Sequence, residues 1–182
     1  MRGHAPVGRI VDWEPPVDDD AAPWPRYERG DGPGVILLHE FPGITPEVLG
    51  LGDHLVESGF TVVIPHLFGV RGEAANPVRL ARIGAALCVS STFRAWALGA
   101  DRPIARQLRA FAAQLAERTG GRVGVIGMCF TGGFALAAAV DPHVAAPVVS
   151  QPSIPIGLPG RRRSDAGVSE AELAEVHRRT SE

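Results

Sequence analysis

Val123-Gly124-Val125-Ile126-Gly127-Met128-Cys129-Phe130-Thr131-Gly132-Gly133-Phe134-Ala135-Leu136 joins one apolar run to another through a glycine-flanked cysteine. The pattern predicts a strand, a sharp turn and a helix, with Cys129 on the turn. Such a turn strains the backbone of its central residue and crowds the neighbouring strand, so the flanking positions must be small. Gly127 satisfies this on one side; on the other, Thr131 stands where glycine is usual and is followed by Gly132 and Gly133. A thiol at a helix start faces unpaired amides and the positive dipole end, which favour the thiolate, the form of sulfur that attacks a carbonyl carbon. The plainer alternative makes Cys129 a small core residue, and the flanking glycines argue against it. Cys88, in Ile83-Gly84-Ala85-Ala86-Leu87-Cys88-Val89, has no turn chemistry around it and reads as buried and inert.

Working outward from the turn, Val35-Ile36-Leu37-Leu38 and Phe60-Thr61-Val62-Val63-Ile64-Pro65 are continuous apolar runs of the kind that strands buried on both faces carry. A helix is expected between them, over 46–58, stopped by Gly59. Asp101 is expected to cap a long helix in which Ile104, Leu108, Phe111 and Leu115 form one apolar stripe, ended by Gly120 and Gly121. A further strand is expected over 144–149 and a last helix over 169–179, where Ser169 and Glu172 have capping-box spacing. Towards the start, a short strand is expected over 9–13 and an exposed Pro- and Asp-rich loop over 14–33. Strands that alternate with helices give an α/β class, a three-layer α/β/α sandwich on a mostly parallel sheet, in a single domain spanning 1–182.

Composition narrows the chemistry. The chain of 182 residues contains no lysine, so Schiff-base catalysis, pyridoxal-phosphate attachment and a phosphate-loop lysine are all excluded. Two cysteines make no disulfide framework, a net charge of −2 gives no reason to expect nucleic acid, and Arg161-Arg162-Arg163 reads as a solvated loop. No leader-like segment opens the chain and no apolar run is long enough to span a bilayer, so a cytoplasmic location without membrane contact is expected. Gly124-Val125-Ile126-Gly127 lacks dinucleotide-binding spacing, and Gly167-Val168-Ser169-Glu170-Ala171 has no strand before it. No cofactor and no metal ligands are assigned.

Gly127-Met128-Cys129-Phe130-Thr131-Gly132-Gly133, taken with Leu38-His39-Glu40-Phe41-Pro42-Gly43, resembles the dienelactone hydrolase family of the α/β-hydrolase fold over about residues 35–152. The resemblance implies a small ester or lactone as substrate and an acyl-cysteine intermediate. It further implies Cys129 as nucleophile, Glu40 as the carboxylate that helps deprotonate it, and the amides of Phe41 and Phe130 as the oxyanion hole. A solvated loop carboxylate is the alternative for Glu40, and His39 reads as packed or hydrogen-bonded to its loop. The family also places an arginine near the nucleophile. Arg94 is one candidate, and Arg71, Arg79, Arg82 and Arg102 compete with it.

The triad order of this fold is nucleophile, acid, histidine, yet only one strand is expected after Cys129. Asp165 and His177 are the late acid and base in the most plausible order, one in a loop and the other on an exposed-looking helix, while His143 reads as a surface residue. The expectation is a C-terminally shortened member of the family. Its strand over 144–149 would be an apolar edge only partly blunted by Pro147 and open to self-association. The alternative function is a non-catalytic remnant that serves as a binding module.

Overall fold

The computed structural model describes residues 6–74, 76–91, 102–152 and 168–181, without the side chains of residues 79 and 87–89. In chain order the elements are β1 (Arg26–Arg29), β2 (Gly34–Leu38), β3 (Gly43–Ile44), α1 (Pro46–Glu57), β4 (Thr61–Pro65), β5 (Val70–Arg71) and α2 (Pro77–Val89). There follow α3 (Pro103–Thr119), β6 (Val123–Met128), a 3₁₀ turn at Cys129–Thr131, α4 (Gly132–Ala138), β7 (Val144–Ser150) and α5 (Glu170–Thr180). The main sheet runs β1-β4-β2-β6-β7, with β1 antiparallel to β4 and the other pairs parallel. Strand alternation separates two cores. Ile36, Leu38, Val63, Val123 and Val125 face α3 and α4, whereas Leu37, Val62 and Ile64 face α1 together with Trp13 and Tyr27. The architecture is the three-layer α/β sandwich read from the sequence.

Helix ends follow local chemistry. Thr45 caps α1 through its hydroxyl, with Pro46 at the first helical position. Gly120, at φ 72°, closes α3 in the left-handed conformation. Ser169 and Glu172 form the expected capping box of α5. Four expectations need correction. Residues 9–13 are not a strand, since Ile10–Asp12 form a 3₁₀ turn. The segment 14–33 is not an exposed loop: it contains β1, and Ala22, Trp24, Arg26 and Tyr27 are buried. There Asp19 pairs with Arg26 at 2.7 Å and Trp24 sets its edge on Phe111 at 5.2 Å, so polar groups neutralise one another around an aromatic contact. The cap of α3 is Arg102, without a side-chain bond, and Asp101 lies outside the described residues. Finally, α2 has no counterpart among the expected elements; Cys88 belongs to it, but the Cys88 side chain lies outside the described residues.

The strand β7 is the sheet's far edge, and residues 145–150 are exposed, Val148 at 46% and Val149 at 38%. α5 docks onto α4 through charge. Arg109 of α3 reaches both the Ala137 carbonyl and the Glu172 carboxylate, at 3.0 and 2.7 Å, and Arg179 holds the carbonyls of Ala139, Asp141 and Val144. Among the described residues no helix is long and apolar enough to cross a membrane.

Candidate active site

From the central strands β2 and β6 the chain departs in opposite directions. β2 leads through α1 to β4, and β6 leads through α4 to β7 on the other side. The loops leaving the carboxyl ends of β2 and β6 therefore diverge and leave a crevice, the usual ligand position in open α/β sheets. Glu40 and Phe41 follow β2, and Cys129 and Phe130 follow β6, so all four residues predicted from the sequence stand at this one crevice.

Cys129 has φ 51°, the left-handed conformation that a residue with a side chain adopts only under constraint. Its surroundings supply the constraint. A Cβ on Gly127 would lie 2.5 Å from the Thr131 carbonyl oxygen and 2.8 Å from Ala135 Cβ, so only glycine lets the turn fold back on the strand. On the other flank the close approach falls at Gly132, where a Cβ would meet Pro152 at 3.0 Å. This shift explains how Thr131 is tolerated. Its side chain is wholly buried, its hydroxyl accepts the Met128 N–H at 3.0 Å, and the Met128 carbonyl lies 2.9 Å away to receive its proton. The Leu38 carbonyl of β2 is 3.4 Å from the same oxygen, so the hydroxyl sits where the two central strands part.

On the β2 side, His39 is buried with no exposed surface. Leu67 N–H donates to its Nε2 at 3.2 Å, so that nitrogen carries no proton, and Nδ1–H donates to the Glu40 carbonyl at 3.0 Å. Burial pushes the pKa of His39 down from 6.5 to about 4, which keeps the ring neutral. His66, in the loop after β4, is also held below its ordinary value, by burial and by the neighbouring Arg71 guanidinium. Arg71 Nε donates to its Nδ1 at 3.2 Å. Glu40 is half-buried, and its carboxylate makes no hydrogen bond or ion pair among the described residues. The wall beside Cys129 is aromatic. Phe130 meets Phe68 and Phe134 edge to face, at 5.7 and 5.4 Å, and Phe68 meets His39 at 4.5 Å.

Other candidates are not brought here. His143 Nδ1 pairs with Asp141 at 2.8 Å, but this dyad precedes β7, at the amino end of the sheet, where Val144 aligns with Val123. β6 separates it from Cys129 by about 20 Å of strand. His177 is exposed on α5. Asp165 and Arg94 lie outside the described residues, as does the side chain of Arg79. Arg82 is exposed on α2, and Arg102 is buried at the start of α3. No group of three or more His, Cys, Asp or Glu side chains among the described residues could hold a metal ion. His39 is packed and hydrogen-bonded to its own loop, as its sequence position suggests, but its second bond, to Leu67, and the bridging role of Thr131 were missed, because these partners are backbone atoms.

Comparison with known proteins agrees with this architecture. The sequence matches the dienelactone hydrolase family over residues 24–162. A protein from Klebsiella pneumoniae assigned as a dienelactone hydrolase superposes with a TM-score of 0.52 at 16% identity, over 85% of this chain and 73% of that one. A dienelactone hydrolase-like promiscuous phosphotriesterase from metagenomic libraries gives 0.52 at 16% identity, over 92% of this chain and 75% of that one. At such identities the likeness concerns the fold. A search of curated protein sequences gives no match. With the family matched over most of its length, the chain belongs to the dienelactone hydrolase family and to the class of ester hydrolases.

Proposed function

We propose that the chain hydrolyses a small ester or lactone through an acyl-cysteine, with Cys129 as nucleophile, Glu40 as base, and the amides of Phe41 and Phe130 as oxyanion donors. Glu40 takes the Cys129 proton, and the thiolate forms a C–S bond to the substrate carbonyl while the π electrons move to oxygen. Two amides meet the charge that appears only at this point, each worth roughly 100-fold in rate. Collapse breaks the ester C–O bond, and the departing oxygen takes the proton from Glu40. Water then attacks the thioester, its hydroxyl goes to the acyl carbon and its proton returns to sulfur. The observation that supports this reading most is the left-handed Cys129 at the end of β6, facing a loop whose Phe41 amide has no hydrogen-bond partner among the described residues.

One observation favours a second reading, in which the chain is a non-catalytic family member that acts as a binding module. Among the described residues no histidine–carboxylate pair stands at Cys129 to activate the deacylating water. Steady-state hydrolysis of short-chain chromogenic esters and simple lactones, by the parent, Cys129→Ala and Glu40→Gln, separates the two. Turnover lost in Cys129→Ala and reduced in Glu40→Gln is the result expected of the hydrolase. Equal background rates in all three folded chains would leave the binding module.

A further inference from the structure

We propose that His39 is a positioning residue: it fixes the Glu40–Phe41 peptide from behind and thereby aims the Phe41 N–H into the crevice. This rests on the reading of Phe41 as an oxyanion donor. A buried ring that only filled space would need no polar atoms, yet both nitrogens of His39 are engaged, each with the backbone of a different loop. Nε2 accepts from Leu67 in the loop after β4, which fixes the tautomer, and the Nδ1–H that results reaches the Glu40 carbonyl. Gly43 N–H donates to the same carbonyl at 2.9 Å, so both lone pairs of that oxygen are used.

The consequence follows from peptide geometry. In a trans peptide the C=O and the following N–H point in opposite directions within one plane. Two donors that hold the Glu40 oxygen therefore set the direction of the Phe41 N–H, turned away from both of them. That amide makes no hydrogen bond among the described residues. A donor fixed in direction and left without a ground-state partner is what preorganised stabilisation of an oxyanion requires, because nothing must be broken or reoriented when charge develops. Phe68, edge-on to the imidazole at 4.5 Å, holds the ring in the orientation the two bonds need.

Two variants divide the ring between them. In His39→Asn the side-chain amide stands near Nδ1 and keeps a donor for Glu40; in His39→Gln it extends towards Nε2 and keeps only the link to Leu67. The acylation rate of Cys129 by p-nitrophenyl acetate is compared with its alkylation rate by iodoacetamide, read at the Cys129 peptide by mass. Alkylation displaces iodide at a tetrahedral carbon and forms no oxyanion, so a merely loosened fold slows both reactions and a misdirected amide slows only the first. The expected result is a loss of about tenfold or more in acylation for His39→Gln, with alkylation within a few-fold of the parent and His39→Asn close to the parent in both. The Phe41 amide resonance, shifted in His39→Gln and retained in His39→Asn, reads the same positioning without any substrate. Unchanged acylation and an unshifted resonance in folded His39→Gln would overturn the proposal, as would a parallel fall of both rates in both variants. A parent that is alkylated but never acylated would sink the hydrolase reading instead, and the resonance would still decide the role of His39.

Discussion

The two edges of the sheet are built in opposite ways. At β1 the edge is closed: Tyr27 enters the core, and Arg26 lies 1% exposed over the Phe111 ring, held by Asp19 and Glu28. Arg118 reaches from α3 to Glu28 at 2.8 Å. At β7 the chain from residue 145 to residue 150 is exposed, and among the described residues no strand pairs with its outer side. The candidate site lies between the edges, and its parts divide the same way. The loop proposed to hold the oxyanion and the loop that braces it follow β2 and β4, on the closed side. A triad acid and histidine would follow β7, on the open side. The proposed attacking groups thus stand on the braced side of the sheet, while among the described residues no acid–histidine pair is brought to Cys129 from the other side.

Substitutions can break this contrast, beginning with the largest effect. Cys129→Ala should remove acylation altogether, a loss of at least about 1000-fold read in pre-steady-state ester cleavage. On the closed side, Phe111→Ala removes the partner of both Trp24 and Arg26 and should cost about 3–5 kcal/mol in urea unfolding. Arg26→Ala leaves Glu28 and Asp19 without their shared cation. It should cost about 2 kcal/mol, below the range for a broken buried pair, because Glu28 keeps Arg118 and Asp19 stays half in solvent.

Acid should act through the brace. His39 has a folded pKa of about 4 against 6.5 when unfolded. Between those values the unfolded chain binds a proton that the folded one excludes. Its contribution, on the order of 3 kcal/mol, is complete above pH 6.5 and disappears as pH falls towards 4. The lowered pKa of His66 acts in the same direction. Urea midpoints at pH 7 and pH 4.5 should differ less in His39→Asn than in the parent. Last, Val148→Thr on the open edge should move stability by less than about 0.5 kcal/mol in the same assay, since the side chain is already in solvent.

Legibility in the sequence followed the same division. Continuous apolar runs disclosed β2, β4 and β6, Gly59 marked the end of α1 and the capping box the start of α5, because each signal is local. β1 was hidden: Arg26-Tyr27-Glu28-Arg29 reads as polar, and its burial depends on Asp19 and on Phe111 far along the chain. α2 could have been found from Pro77 at its start and the spacing of Leu80, Ile83 and Leu87. Cys129 was legible because its turn needs glycine in sequence. The bond of His39 to its own loop was legible too, but its bridge to Leu67 was not, since that partner is an amide 28 residues away, which no residue type announces.

The most direct test is a rapid-mixing experiment with p-nitrophenyl acetate in which intact mass is followed beside released nitrophenol. The expected result is a burst equal to the enzyme concentration and an acetyl increment on Cys129 that forms faster than it decays. A folded chain that gives neither burst nor increment, and behaves as Cys129→Ala does, would contradict the acyl-cysteine mechanism.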